Sequence, residues 1–437
     1  DLDRFEVHTN FTNTVMQIHR FSTVDLVDPD KLSVLRAVFF QPEQLRPGQT
    51  TTGLTEEAAR QFARLADMLR ARGVEPQCAA HFLTKIIFCL FAEDVGLLPR
   101  KHFSTIVERT SQKPEEFLRY TGQLFEAMAH GGTSLLEDIL YFNGNLFADA
   151  EVLELTAEEL TVVREAGKFD WSSIEPAIFG TLFERSLDPS KRSQIGAHYT
   201  HPDDIRAVVE PVLMAPLRRE WEDARHKVLS LAEQRKTAKK SQAERLKNQM
   251  YKTLLDVLDR LSRMRVLDPA CGSGNFLYIS MNLLKDLEKE VSTFSGNMGL
   301  TSLLYQVTPG QLYGLEVNTY ARELAQTAIW IGYIQWHHKN GFPIQRNPVL
   351  QPLDTIHNMD AILDLSDPAN PKEPDWPDAD VIVGNPPFLG GKLLRTNLGD
   401  QYVDALFRLY AERVPAEADL VCYWHEKARA MVAAGHA

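Results

Sequence analysis

From Thr55 to about Leu160 apolar residues recur every three or four positions, the spacing of helices with one buried face. The stretch TEEAARQFARLADMLRARG, 55–73, opens with Thr55 as a cap and an acidic first turn and closes on Gly73, while PQCAAHFLTKIIFCLFAEDVGLLP, 76–99, starts on Pro76 and stops before Pro99. This predicts a helical domain. His81, His102 and His130 within it are isolated, which predicts ordinary surface or core roles. Ahead of it, RFEVHTNFTNTVMQIHRFSTVDL, 4–26, alternates as strands do, through Phe5 and Val7 and then Val15, Ile18 and Phe21. No pairing partner is evident nearby, so residues 1–50 are expected to be the end of an upstream domain. After about Ser190 short apolar strands alternate with helices: RMRVLDPA then NFLYISMNLLKDLEKEV, QLYGLEVN then YARELAQTAIWIGYIQW, and later ADVIVGNPP. That alternation predicts βαβ units in an α/β, doubly wound and mostly parallel sheet. Ligands of such sheets sit beyond the carboxyl ends of the strands.

Composition narrows the class. A chain of 437 residues, 44% of them hydrophobic, can fill two or three domain cores. The longest apolar run, FLTKIIFCLFA at 82–92, is too short to span a bilayer and contains Lys85. No signal sequence opens the chain, and a cytoplasmic protein with no membrane partner is expected. The four cysteines, Cys78, Cys89, Cys271 and Cys422, form no C-x-x-C pair, which predicts buried free thiols and no structural zinc. The net charge of -12 excludes a protein that coats nucleic acid by bulk electrostatics. Arg218–Lys252 nevertheless holds eleven Lys or Arg against five Asp or Glu. Two readings of it stand, a solvated helical hairpin and a surface that contacts phosphates.

The residues that end each strand carry the chemistry. In VLDPACGSGNF, 266–276, Gly272 and Gly274 allow a tight turn with exposed backbone, and Asp268 can accept from a cationic amine. The stretch has neither G-x-G-x-x-G nor G-K-[ST], which disfavours a dinucleotide or a triphosphate. Glu316 ends the next strand, where an acid commonly accepts from two ribose hydroxyls. In LDTIHNMDAILDL, 353–365, Asp360 is placed to accept from the exocyclic amine of an adenine, with Asp354 as the rival. One carboxylate for an amine, one for a ribose and one for an adenine describe S-adenosylmethionine. At the fourth strand end, GNPPF places the Asn385 side-chain oxygen and the Pro386 carbonyl as two acceptors fixed by proline-restricted backbone, with Phe388 beside them. Two such acceptors favour the pyramidal nitrogen that an aromatic amine needs to become a nucleophile. Phe388 would stack on a flipped base.

These residues resemble the γ-class S-adenosylmethionine-dependent DNA adenine-N6 methyltransferases. GAHYTHPDDI, 196–205, DPACGSGNF, GLEVN, MDAI and GNPPFLGG follow one another in that family's order. FGTLFERSLDPSKRSQIGAHYT at 179–200, FCLFAEDVGLLP at 88–99 and ADVIVGNPPFLGGKLLR at 379–395 are similar to the MmeI-like group, which covers type IIG/IIL restriction-modification and phage-defence enzymes. The likeness spans nearly the whole chain. It implies a Rossmann-like methyltransferase domain over 176–437, truncated before its last strands and target-recognition domain, and an α-helical connector over 51–175. The closing ADLVCYWHEKARAMVAAGHA is expected to be a fifth strand and its helix. The likeness further implies Ala197, His198, Tyr199, Thr200, Ala270, Asn275, Phe276 and Ala361 as cofactor-binding residues beside Asp268, Gly272, Gly274, Glu316 and Asp360. Asn385, Pro386, Pro387 and Phe388 are the implied catalytic residues, double-stranded DNA the implied partner, and other defence subunits or a nuclease domain in the same chain further ones. No Asp or Glu here is followed two positions later by Lys, so the E-x-K or D-x-K element of a common nuclease is absent. RNA-base or protein-glutamine methylation, or a non-catalytic assembly role, are the alternatives.

Overall fold

The computed structural model describes residues 3–9, 11, 14–48, 50–142, 145–176, 178, 180, 200–301, 306–343 and 350–435. They fall into two compact units, the first ending at Ile178.

The first unit opens with β1 (Arg4–His8) and β2 (Ile18–Ser22), which pair antiparallel with Phe5 opposite Phe21. The two apolar runs that lacked an evident partner are therefore each other's partner. The loop between them carries no tight-turn signature, which is why the pairing was not legible. Helices α1 (Pro29–Phe40), α2 (Thr51–Ala71), α3 (Pro76–Asp94), α4 (His102–Thr110), α5 (Pro114–His130) and α6 (Ala157–Ala166) follow, with a short hairpin of β3 (Gly132–Ser134) and β4 (Glu137–Ile139) after α5. α2 starts four residues before the expected Thr55, because Thr50 caps it by accepting from the Gly53 amide. Helix α3 is buried almost all round, its core made of edge-to-face phenylalanines such as Phe88 against Phe142 and Phe147. Its buried Lys85 is neutralised by Asp149. At α6, Thr156 and Glu159 form a reciprocal capping box, and Glu159, 1% exposed, also accepts from Arg72 Nε at 3.0 Å.

The second unit is an α/β layer structure. Four parallel strands, β5 (Val266–Asp268), β6 (Leu312–Glu316), β7 (Ile356–Asn358) and β8 (Val381–Ile382), stand in the order β7-β6-β5-β8. Helices α7 (Pro202–Val209), α8 (Ala215–Thr237) and α9 (Lys240–Arg263) precede β5, α10 (Asn275–Asn297) follows it, and α11 (Thr319–Lys339) follows β6. α10 and α11 pack on the sheet and on each other through small residues. A side chain at Gly274 would lie 3.0 Å from the Ala325 Cα, and one at Gly332 would enter the Tyr278 ring. After β8 come α12 (Leu394–Leu398), α13 (Asp400–Leu409) and α14 (Val421–Ala434). Leu267 and Leu315 of the sheet pack with Leu406, Tyr410, Tyr423 and Trp424 in one buried cluster.

Two expectations are corrected, and the basic stretch takes the form of one of its two readings. The closing segment forms α14 directly, with Asp419 bonded to the Val421 amide, and no fifth strand stands among the described residues. Cys89 and Cys271 are buried free thiols, but Cys78 is exposed in the first turn of α3. The basic stretch is a hairpin of α8 and α9. Trp221 bonds Glu290 near the far end of α10, and Arg260 pairs with Asp380 at the start of β8. The hairpin thus leaves the sheet at the amino ends of the strands. At 1.5 Å per residue its tip stands roughly 25 Å further out, away from the strand ends that carry the chemistry.

Glu159→Ala keeps the Thr156 hydroxyl cap but removes the acceptor of the Thr156 amide and leaves Arg72 without its carboxylate, so a loss of about 2–4 kcal/mol in unfolding free energy is expected. Glu159→Gln, whose single amide oxygen can keep only one of the two accepted bonds, should lose less than Glu159→Ala in urea-induced unfolding.

Candidate active site at the carboxyl ends of the strands

Four side chains that the sequence singled out stand in a row along one edge of the sheet. Asp268 closes β5, Glu316 closes β6, Asp360 lies two residues beyond β7, and Asn385 lies three residues beyond β8. The strand order makes the row Asp360, Glu316, Asp268, Asn385.

Asp268 is 1% exposed. Its carboxylate accepts from the Ala270 amide at 3.1 Å and has no cation beside it among the described residues. Burial pushes its pKa up to about 7, the Ala270 bond opposes the rise, and the Glu316 charge adds to it. A buried acid in this state gains most from a ligand that brings positive charge. Glu316 is half-buried and ties two loops together, one oxygen accepting from the Gly272 amide at 2.9 Å and the other from Asn318 at 2.8 Å. Burial raises its pKa too, against these backbone bonds. Gly272 has φ +53 and open space where a side chain would stand, so its backbone borders a cradle beside Glu316. Asn275 starts α10 with its Oδ1 buried and without a hydrogen-bond partner among the described residues. Phe276 is buried under the same turn. A raised buried acid, an open glycine cradle and an orphaned acceptor fit a cationic, polar cofactor.

Asp360 is more occupied than the sequence suggested. One oxygen accepts from the Ile362 and Leu363 amides at 2.8 and 3.1 Å, the other from the Tyr402 hydroxyl at 2.7 Å. Three of the roughly four lone-pair sites of a carboxylate are thus used, leaving one for a ligand amine. Ala361 is in the apolar core, its carbonyl accepting from Trp376. Ala197, His198 and Tyr199 lie outside the described residues. Thr200 is described, and its hydroxyl accepts from Asn385 Nδ2 at 3.1 Å.

The turn after β8 is held at both ends by residues that sequence reasoning missed. Gly384 lies so close to Asp268 that a Cβ there would overlap the carboxylate oxygen. The Leu389 amide donates to Asp419 at 3.0 Å and the Leu389 carbonyl accepts from Leu420. A Cβ at Gly391 would enter the Glu417 backbone. Trp424 donates to the Pro269 carbonyl at 3.0 Å, so α14 also pins the β5 turn. Of these, Gly384 and Gly391, both inside the quoted GNPPFLGG, carried a signal. Between these anchors Asn385, Pro386 and Pro387 lead to Phe388, which is 61% exposed.

Residues 238–437 match the family described as MmeI, DNA-methyltransferase domain, and residues 77–147 the MmeI helicase spacer domain. The solved structure of the type IIL restriction-modification enzyme MmeI in complex with DNA superimposes with a TM-score of 0.68 at 26% identity, over 85% of this chain and 48% of that one. Residues 238–437 belong to the MmeI-like methyltransferases. The chain's Rossmann-like α/β fold, with a helical region ahead of the sheet, is that of the MmeI methyltransferase. DNA methyltransferase A of Bacillus subtilis is 28% identical over 77% of this MmeI-like chain and 37% of its own length. The chain thus spans less than half of each of these relatives. Membership of a DNA-methyltransferase family implies S-adenosylmethionine as methyl donor. No helix among the described residues is long and apolar enough to cross a membrane.

Gly384→Ala forces a methyl group into the Asp268 carboxylate, and overpacking of this kind costs about 1–3 kcal/mol. A lowered thermal midpoint is expected for it, whereas Gly390→Ala, with open space at its Cβ, should match the parent in the same scan.

Proposed function

We propose that this chain is the catalytic part of a site-specific DNA methyltransferase. It moves a methyl group from S-adenosylmethionine to N6 of an adenine turned out of its helix, within a restriction-modification or phage-defence system. The observation that carries the reading is the exposed amide of Asn385, one residue beyond the Gly384 that abuts the buried Asp268, with the exposed Phe388 three residues further on. An exposed phenylalanine on an otherwise tightly held turn leaves apolar area in water, which a stacked base would cover. Bound S-adenosylmethionine supplies an electrophilic methyl group carried on a sulfonium.

The chain's own residues then have separable tasks. Asp268 accepts from the cofactor's ammonium, Glu316 from its ribose hydroxyls, and the remaining lone pair of Asp360 from its adenine amine. Gly272 and Gly274 keep the backbone low over the same pocket, with Asn275 Oδ1 as a further acceptor. Asn385 Oδ1 and the Pro386 carbonyl accept from the two hydrogens of the target amine. That pulls its lone pair out of the ring and towards the methyl group, and it stabilises the charge that grows on nitrogen. Phe388 holds the base in place by stacking. The helical residues 51–175 serve as a connector and 176–437 as the methyltransferase domain, in a longer protein.

Asn385→Ala in the full-length protein should abolish most single-turnover methyl transfer to DNA with cofactor binding intact. Phe388→Ala should retain part of the rate and weaken base capture by about 1–3 kcal/mol, read from 2-aminopurine fluorescence at the target position. Phe388→Tyr, which keeps a π-face, should be milder. A parental transfer rate in Asn385→Ala removes the proposed role of the amide.

The pKa of Asp268 gives a pH test. It lies at about 7 in the free protein, and an acceptor for an ammonium must be ionised, so the acid has to lose its proton on binding. Cofactor affinity should therefore rise with pH, by close to tenfold per unit at about pH 5–7, and level off above. Calorimetric titration should show proton release below neutrality, and Asp268→Asn should bind weakly at every pH.

A further inference from the structure

The Asn385 amide has an oxygen that accepts and a nitrogen that donates, and only the oxygen can take a hydrogen from an amine. Its backbone is restricted by the proline that follows, but the terminal torsion of an asparagine is broad and two-fold. Left alone on an exposed turn, the amide would present its nitrogen for part of the time, donor against donor. Thr200 meets this freedom. Its hydroxyl accepts from Asn385 Nδ2 at 3.1 Å across 185 positions of sequence, and no other hydrogen bond to the Asn385 side chain is present among the described residues. Thr200 is itself well placed to be a fixed reference. It directly precedes His201, which caps α7, and α7 packs on α10. Its β-branched side chain has few rotamers.

We propose that Thr200 is a positioning residue for methyl transfer. By accepting from Nδ2 it holds the Asn385 amide with Oδ1 turned to the target amine. This rests on the reading of Asn385 as the amine acceptor. It differs from a cofactor-binding role for Thr200, because its effect falls on the transfer step and passes through Asn385. A threonine serving the cofactor would change affinity for the cofactor.

The test uses the full-length protein, S-adenosylmethionine with a labelled methyl group, and unmethylated plasmid DNA that the parent modifies. Thr200→Val keeps the shape and removes the acceptor. It is expected to slow single-turnover transfer at saturating cofactor by about ten- to a hundredfold, the usual effect of a misplaced group, and to leave the cofactor Kd unchanged. Thr200→Ser should restore most of the rate, and Thr200→Val should cause no further loss on an Asn385→Ala background. A parental rate at saturation with a weakened Kd would overturn the proposal in favour of cofactor binding. An equal loss on both backgrounds would overturn it as well, since Thr200 would then act without Asn385. Should the Val variant not fold, Thr200→Ala replaces it in each arm. The Asn385→Ala arm stands apart: if that variant transfers at the parental rate, the reading of the amide fails, and a loss there with no effect of Thr200→Val sinks only the present proposal.

Discussion

The close approach of Gly384 to Asp268 is the constraint on which the rest of the site depends. Two neighbouring parallel strands end here, and the turn leaving one lies against the carboxylate that ends the other, with no room for a single carbon between them. The contact sets the distance between the buried acid, which suits a cationic cofactor, and the exposed amide one residue further on. Methyl transfer requires donor and acceptor within near-contact distance. Hydrogen bonds alone would leave the two turns more slack than hard-sphere contact allows.

The remaining structure holds that contact in place. Asp419, Leu420 and Glu417 grip the far side of the turn, and Trp424 from the same segment grips Pro269 of the β5 turn. One stretch of chain therefore fixes both partners of the Gly384–Asp268 contact. On the other face, Gly274 lets α10 start against Ala325, and Glu316 reaches across to the Gly272 amide. The polar edge of the sheet is thus a set of turns bonded to one another, from which Asn385 and Phe388 project.

The sequence disclosed the parts of this arrangement whose signal is local. A short apolar strand followed by a polar residue and a glycine or proline turn marks a strand end, so Asp268, Glu316, Asp360 and Asn385 could be named without coordinates. Contacts between distant segments left no such trace. The pairing of β1 with β2, the grip of Asp419 on Leu389 and the bond from Trp424 to Pro269 each join residues whose types are ordinary in their own neighbourhoods. Asp419 read instead as the start of a strand, because the apolar LVCYW run after it fits strand or helix equally well. The occupancy of Asp360 by Tyr402 could not be foreseen either, since it depends on how α13 folds back. The basic hairpin shows the converse: its charge was legible, and its direction, which sets it far from the strand ends, was not.

The central claim is that the amide beside Asp268 directs a methyl group to adenine in DNA. Sequencing DNA from cells that express the full-length gene, with detection of N6-methyladenine, tests it most directly. The account predicts modified adenines within one recurring sequence, absent when the gene carries Asn385→Ala. Unmodified DNA from the parent, or the same modified adenines from the Asn385→Ala gene, would contradict it.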